Sequence, residues 1–258
     1  MNPYSEKTRN YFYFYLVTAG AVLVMALILY IMPAETIQYR NSDFLAPFWH
    51  EVTQSGGFTG GLVIFIFLIA YLAGHFRKSS GKYSDLILII SIIFFAYVFS
   101  AGITEYILKD IYKKPRPYYH ILSEKGYLRN GSQTFITMPY GERKKYLREN
   151  INLNDEKLSD VYSPVLNDWI YEAGFSFPSG HAHISFFWGT VISFFIFFML
   201  KKKYKSLFII PYIWSVLVCI SRVVTGFHYS ADVIAGSVTG ALTGLIIVSL
   251  PVMYKNVN

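Results

Sequence analysis

The stretch LILIISIIFFAYVFSAGIT (residues 86–104) carries no charged side chain, and its apolar residues come as a block, not at a steady period. A helix needs about 17–25 such residues to cross a hydrocarbon core about 30 Å thick, so this stretch reads as a membrane span. Five further blocks stand around it, at 11–32, 56–74, 184–200, 206–221 and 233–253. The blocks at 184–200 and 206–221 are short and need a flanking residue or two, or little tilt. The expectation is an all-α integral membrane protein with six transmembrane helices. It forms a single domain over 1–258, with a long polar extracytoplasmic insertion at about 108–180 between spans three and four.

Composition agrees. Of the 258 residues, 53% are apolar, 19% aromatic and only 15% charged, against a usual charged share of about 25%. Mean hydropathy is +0.36. Disorder, a coiled coil and a disulfide-stapled module are excluded. The lone Cys219 lies in an apolar run and reads as a small buried hydrophobe. Lys7 and Arg9 precede the first block as they would in a signal peptide. The apolar run is longer than a signal core, however, and Met32-Pro33-Ala34-Glu35 offers no small-residue cleavage site, so the block is expected to remain as a span.

Basic residues in the short loops set an orientation. With six spans both termini share a side, and Lys7, Arg9, Arg77, Lys78, Lys82, Lys201, Lys202, Lys203, Lys205 and Lys255 fall on it. The short segments opposite hold Arg40 and Arg222. The termini are therefore expected in the cytoplasm of a bacterial-type cytoplasmic (inner) membrane, with the insertion on the periplasmic or extracytoplasmic side. The net charge of +7 then reports topology, and no nucleic-acid partner is expected. Within the insertion, Glu142, Lys145 and Glu149 sit at helical spacings and predict a short surface helix at 142–150.

Three polar groups stand at span ends, where ionisable side chains are costly and functional by default. Lys109 and Lys113-Lys114-Pro115-Arg116-Pro117 follow the third span. Phe177-Pro178-Ser179-Gly180-His181-Ala182-His183 opens the fourth, and Ser221-Arg222, His228 and Asp232 bridge the fifth and sixth. Span counting alone puts all three groups on one side. Lys109, Arg116 and Arg222 suit a phosphate, whose oxygens match guanidinium forks. Ser179-Gly180 at a helix start adds a hydroxyl and free N–H groups at the positive dipole end. His228 and Asp232, four apart, can meet on a helical turn. A carboxylate on one ring nitrogen leaves the other as a nucleophile, and His181 is free to act as general acid.

Zinc on His181, His183, His228 and Asp232 is the rival reading. Three converging cations repel a divalent metal and attract an anion, so no metal and no cofactor is expected. His183 faces another side of its helix and reads as a structural histidine. Lys113 and Lys114 read as solvated surface lysines, with contact to anionic headgroups as the alternative. Gly236, Gly240 and Gly244 are in register with Asp232 and predict close packing of the sixth span.

The pattern resembles the type-2 phosphatidic acid phosphatase superfamily of membrane lipid phosphatases. Its signature is Lys, six residues, Arg-Pro; then Pro-Ser-Gly-His; then Ser-Arg, five residues, His, three residues, Asp. Lys109 to Arg116-Pro117, Pro178 to His181, and Ser221-Arg222, His228 and Asp232 fit it. The stretch from Glu172 to His181 looks most like the bacterial phosphatidylglycerophosphate phosphatase B branch. The resemblance implies a phosphohistidine on His228, an orienting Asp232 and an acid–base His181. Lys109, Arg116, Ser179, Gly180 and Arg222 are implied to bind phosphate, with no metal. Glu172 is an accessory candidate. Implied substrates are phosphatidylglycerophosphate, phosphatidate, diacylglycerol pyrophosphate and undecaprenyl pyrophosphate, and the partner is the membrane lipid itself. The alternatives are a lipid or anion transporter, or a lipid A-type phosphatase of the same superfamily.

Overall fold

A computed structural model describes residues 3–32, 44–79, 82–128 and 130–255. Arg40 and Pro33-Ala34-Glu35 lie outside these residues, as do the side chains of Lys7 and Lys255. The helices are α1 (Pro3–Ile31), α2 (Leu45–Ser55), α3 (Phe58–Ser79), α4 (Tyr83–Gly102), α5 (Lys109–Tyr112), α6 (Pro117–Glu124) and α7 (Gly131–Phe135). They continue with α8 (Tyr140–Asn150), α9 (Ser163–Tyr171), α10 (Gly180–Met199), α11 (Ile210–Val224), α12 (Ser230–Val248) and α13 (Pro251–Lys255). No strand occurs among the described residues. Six stretches are long and apolar enough to cross a membrane: Thr8–Ile31, Phe58–Lys78, Tyr83–Tyr112, Gly180–Met199, Lys202–Val224 and Ser230–Val248.

The spans differ from the apolar blocks at their ends, and at three of those ends by a local feature. The third continues past Thr104 through a π-helical segment, Ile103–Leu108, into α5. Glu105 and Lys109 sit four apart there and ion-pair at 2.5 Å, so charge does not end the helix. The fifth begins earlier, through a 3-10 stretch, Lys202–Ile209. The sixth stops at Val248, and Pro251 starts the separate α13. Helix α2, between the first two spans, is an element the sequence reading did not include.

The central helix is α10, buried along most of its length against α12, α11 and α3. The close approach to α12 depends on glycine. A Cβ at Gly236 would stand 2.3 Å from the Ser179 carbonyl oxygen, and one at Gly240 would stand 2.1 Å from that of His183. This seam is the predicted one.

The insertion builds its own core from Tyr118, Tyr119, Leu122, Phe135, Leu147, Leu166 and Trp169. Helix α8 supplies Leu147, over the stretch where a helix was expected. Hydrogen bonds rivet this unit to the α11–α12 connection: Trp169 Nε1 donates to the Thr225 carbonyl at 2.9 Å, and the Tyr118 N–H to that of Gly226 at 3.2 Å. The Tyr118 hydroxyl donates to the Trp169 carbonyl at 2.8 Å.

Candidate functional site

Each polar segment reaches the site through ordinary backbone chemistry. Helix α5 ends at Lys113, whose left-handed conformation (φ 45°) turns the chain out of the span. Arg116 is extended, as a residue before proline prefers, and Pro117 opens α6, where a missing N–H costs nothing. Ser179 caps α10: its hydroxyl accepts from the Ala182 N–H at 3.4 Å, and its own N–H donates to the Asp232 carbonyl at 2.9 Å. After α11, Gly226 takes a positive φ of 77° and reverses the chain, and the His228 N–H returns to the Arg222 carbonyl at 3.1 Å.

These turns assemble a cavity of about 510 Å³. Lys109, Arg116, Glu172, Gly180, His181, Arg222 and His228 line it, together with the apolar Phe58, Val98, Ala101 and Ile184. Ser179 and Asp232 are fully buried beside it. Lys109, Arg116 and Arg222 are 5%, 2% and 0% exposed, an arrangement that needs compensating charge. Glu105 takes the Lys109 ammonium. One oxygen of Glu172 accepts from Arg222 Nη2 at 2.7 Å and from Arg116 Nη1 at 3.2 Å. Both guanidinium groups also lie over the Phe227 ring. Nε and Nη1 of Arg222 have no hydrogen-bond partner among the described residues.

The field of these charges sets the titrating groups around them. Burial works against the Glu172 carboxylate, but Arg222 and Arg116 outweigh it and hold the group far below the usual range. Burial likewise works against Arg116, and Glu172 holds it above its usual range. At His228, burial and then Arg116, Arg222, Lys109 and His181 all disfavour protonation, so the ring is neutral at pH 7.

His228 and Asp232 come together as their spacing allows, at ion-pair distance and beyond hydrogen-bond distance. His228 Nδ1 lies 3.9 Å from Asp232 Oδ2. Asp232 is in the first turn of α12, and its carboxylate folds back to accept the Tyr229 N–H at 2.9 Å. The Ser176 hydroxyl donates to the same oxygen and lies 3.5 Å from His228 Nδ1. Lys114, read from sequence as a surface lysine, donates to Asp232 Oδ1 at 2.7 Å; Lys113 is exposed. His183 bridges Thr239 at 3.1 Å and Ser100 at 2.9 Å, a structural role.

Sequence reasoning missed Glu105, Ser176 and the Lys114 contact. Glu105 had a signal, an acid four residues before a buried lysine. Ser176 had none, because its partner Asp232 is distant in the chain. Among the described residues no three His, Cys, Asp or Glu side chains gather into a metal-holding group. The cavity's guanidinium and ammonium groups are donors to anions.

Fold and site together define a class: a multi-span membrane protein whose helix ends enclose a desolvated, cation-lined cavity. The PAP2 superfamily pattern matches residues 90–255, and the chain belongs to that superfamily. It is similar to phosphatidylglycerophosphatase B of Bacillus subtilis (strain 168), with 36% identity over 97 residues covering 32% of this chain and 47% of the relative. It is similar to phosphatidylglycerophosphatase B of Haemophilus influenzae, with 28% identity over 144 residues covering 54% of this chain and 56% of the relative. The chain thus spans about half the length of these curated relatives. A crystal structure of a transmembrane PAP2 type phosphatidylglycerolphosphate phosphatase from Bacillus subtilis aligns over 92% of each chain, with 20% identity and a TM-score of 0.48.

Proposed function

We propose that the protein is a membrane lipid phosphatase that hydrolyses phosphate monoesters or pyrophosphates of lipids by a metal-independent phosphohistidine route. The observation that carries this reading is the cavity, where three buried cations and two histidines share a wall with apolar side chains. A phosphoryl group has the charge and the oxygens to engage Lys109, Arg116 and Arg222. Phe58, Val98, Ala101 and Ile184 give lipid chains an apolar setting beside it. The phosphatase names of the relatives support the same class.

In this mechanism the neutral His228 ring attacks phosphorus through Nε2. The N–P bond forms as the P–O bond to the lipid breaks, and His181 gives its proton to the departing oxygen. Lys109, Arg116 and Arg222, with Ser179 and the Gly180 N–H, take up charge on the phosphoryl oxygens, the dominant contribution in phosphoryl transfer. Water then attacks phosphorus, His181 takes its proton, and the N–P bond breaks to release inorganic phosphate. Glu172 shares the two arginines with the phosphoryl group and moderates how tightly they hold it.

The six apolar spans and the bacterial relatives support a bacterial cytoplasmic membrane location, and the loop charges support cytoplasmic termini with the cavity at the outer leaflet edge. Phosphatidylglycerophosphate, phosphatidate, diacylglycerol pyrophosphate and undecaprenyl pyrophosphate are the candidate substrates. Detergent-solubilised protein should release inorganic phosphate from such lipids in excess chelator. His228→Ala should abolish release while still inserting into the membrane. Activity lost on chelation would end the metal-independent route, and substantial turnover by His228→Ala would place the nucleophile elsewhere.

A further inference from the structure

Lys114 is bonded to both partners of the His228 ring. Its side chain donates to Asp232 Oδ1, and its backbone carbonyl accepts the Ser176 N–H at 2.8 Å. We propose that Lys114 is a positioning residue that holds Asp232 and Ser176, and through them the His228 ring, in the attacking orientation. The proposal rests on His228 as the nucleophile.

Three observations support it. Asp232 is fully buried, and a carboxylate there needs a cation or several donors. It has Lys114 on one oxygen and Ser176 and the Tyr229 N–H on the other. Ser176 has one hydroxyl proton; given to Asp232, it leaves lone pairs facing a proton on His228 Nδ1, and Nε2 is then the lone-pair nitrogen. Lys114 is itself held, its ammonium lying 4.3 Å from the centroid of the Tyr229 ring. A lysine free in solvent makes no such set of contacts.

The charge of Lys114 also bears on the ring. The ionisable groups around His228 are Asp232 and Tyr229 at the start of α12, Arg222 on α11, His181 on α10, Glu172 after α9, Tyr140 on α8, Glu105 and Tyr106 in the π-helical segment, Lys109 on α5, and Lys114 and Arg116 between α5 and α6. Removing the Lys114 charge leaves Asp232 with Ser176 and the Tyr229 N–H but without this cation, and makes the protonated ring easier to form. The acid limb of kcat/KM, which follows loss of the neutral ring, then moves to higher pH.

The test uses the full-length protein in detergent with phosphatidate, comparing Lys114→Met, Lys114→Arg and His228→Ala. Lys114→Met should lower kcat about tenfold, the loss of one charge-assisted hydrogen bond. KM should stay within about twofold and the acid limb should move upward in pH. Lys114→Arg should restore most of kcat. Wild-type kcat and pH profile in Lys114→Met overturn the proposal, and so does a raised KM with kcat unchanged, which marks a headgroup contact. Should Lys114→Met fail to accumulate in the membrane, Lys114→Gln with a wild-type thermal midpoint is judged by the same readouts. Turnover by His228→Ala defeats the nucleophile reading itself. An inactive His228→Ala beside a wild-type Lys114→Met defeats the Lys114 proposal alone.

Discussion

Glu172 offers one carboxylate oxygen to two guanidinium groups, Arg222 at 2.7 Å and Arg116 at 3.2 Å. A phosphoryl oxygen seeks the same N–H donors, so the two anions compete. Glu172→Gln removes the competing charge, and inorganic phosphate should then inhibit at a concentration about three- to tenfold lower, read from product-inhibition curves. The depressed acidity of Glu172 also has a stability consequence. A carboxyl held lower in the folded state stabilises the fold above its unfolded value, about 4.3 for glutamate. That contribution disappears as pH falls through the lower folded value. The thermal midpoint of the solubilised protein should therefore drop as the solution is acidified below the ordinary glutamate range, and Glu172→Gln should flatten the drop. At this scale the sequence was legible where a residue type announces its chemistry at a fixed spacing, as with Lys109, Arg116, His181, Arg222 and His228. It was silent on Ser176, a common residue whose partners lie more than fifty positions away.

The contact between α10 and α12 holds two of the three polar segments against each other. Ser179 at the head of α10 donates to the Asp232 carbonyl, and the glycines below bring the backbones together. At Gly240 a methyl group would meet the His183 carbonyl oxygen at 2.1 Å, a backbone atom with little freedom to withdraw. Gly240→Ala should cost about 1–3 kcal/mol, typical of overpacking, and lower activity by separating His181 from Asp232. Gly74 has open space around it, and Gly74→Ala should leave both the melting temperature and the activity near wild type. The two melting curves, taken side by side, separate a packing seam from a general intolerance of alanine. Four-residue glycine spacing was readable from sequence. The length of the third span was not, because Glu105 and Lys109 neutralise each other and let a helix continue where apolar character ends.

For the whole molecule, the distribution of lysine and arginine predicts which side of the membrane the cavity faces. Cys219 is buried and gives no background to a membrane-impermeant thiol reagent. In intact cells Asn154→Cys in the insertion should be labelled, whereas Lys203→Cys between the fourth and fifth spans should be labelled only after lysis. The reverse pattern would turn the cavity toward the cytosol. The insertion is a folded unit with its own aromatic core, bonded to the α11–α12 connection through Trp169 and Tyr118. Its polarity marked it in the sequence as a region outside the spans. Its docking could not be read there, since Trp169 finds the Thr225 carbonyl 56 residues away.

The number of spans, the membrane class and the identity of the charged groups follow from composition and spacing, because hydrophobic length and residue chemistry are local properties of the chain. The wiring of the site is not local. That Asp232 meets His228 through Ser176, that Lys114 is drawn inward to Asp232, and that Glu172 bridges two arginines depends on how buried charges from separate elements find partners. A charge withdrawn from water must be compensated by whatever the folded backbone brings within reach, and only the packing of α10, α11, α12 and the insertion decides what that is.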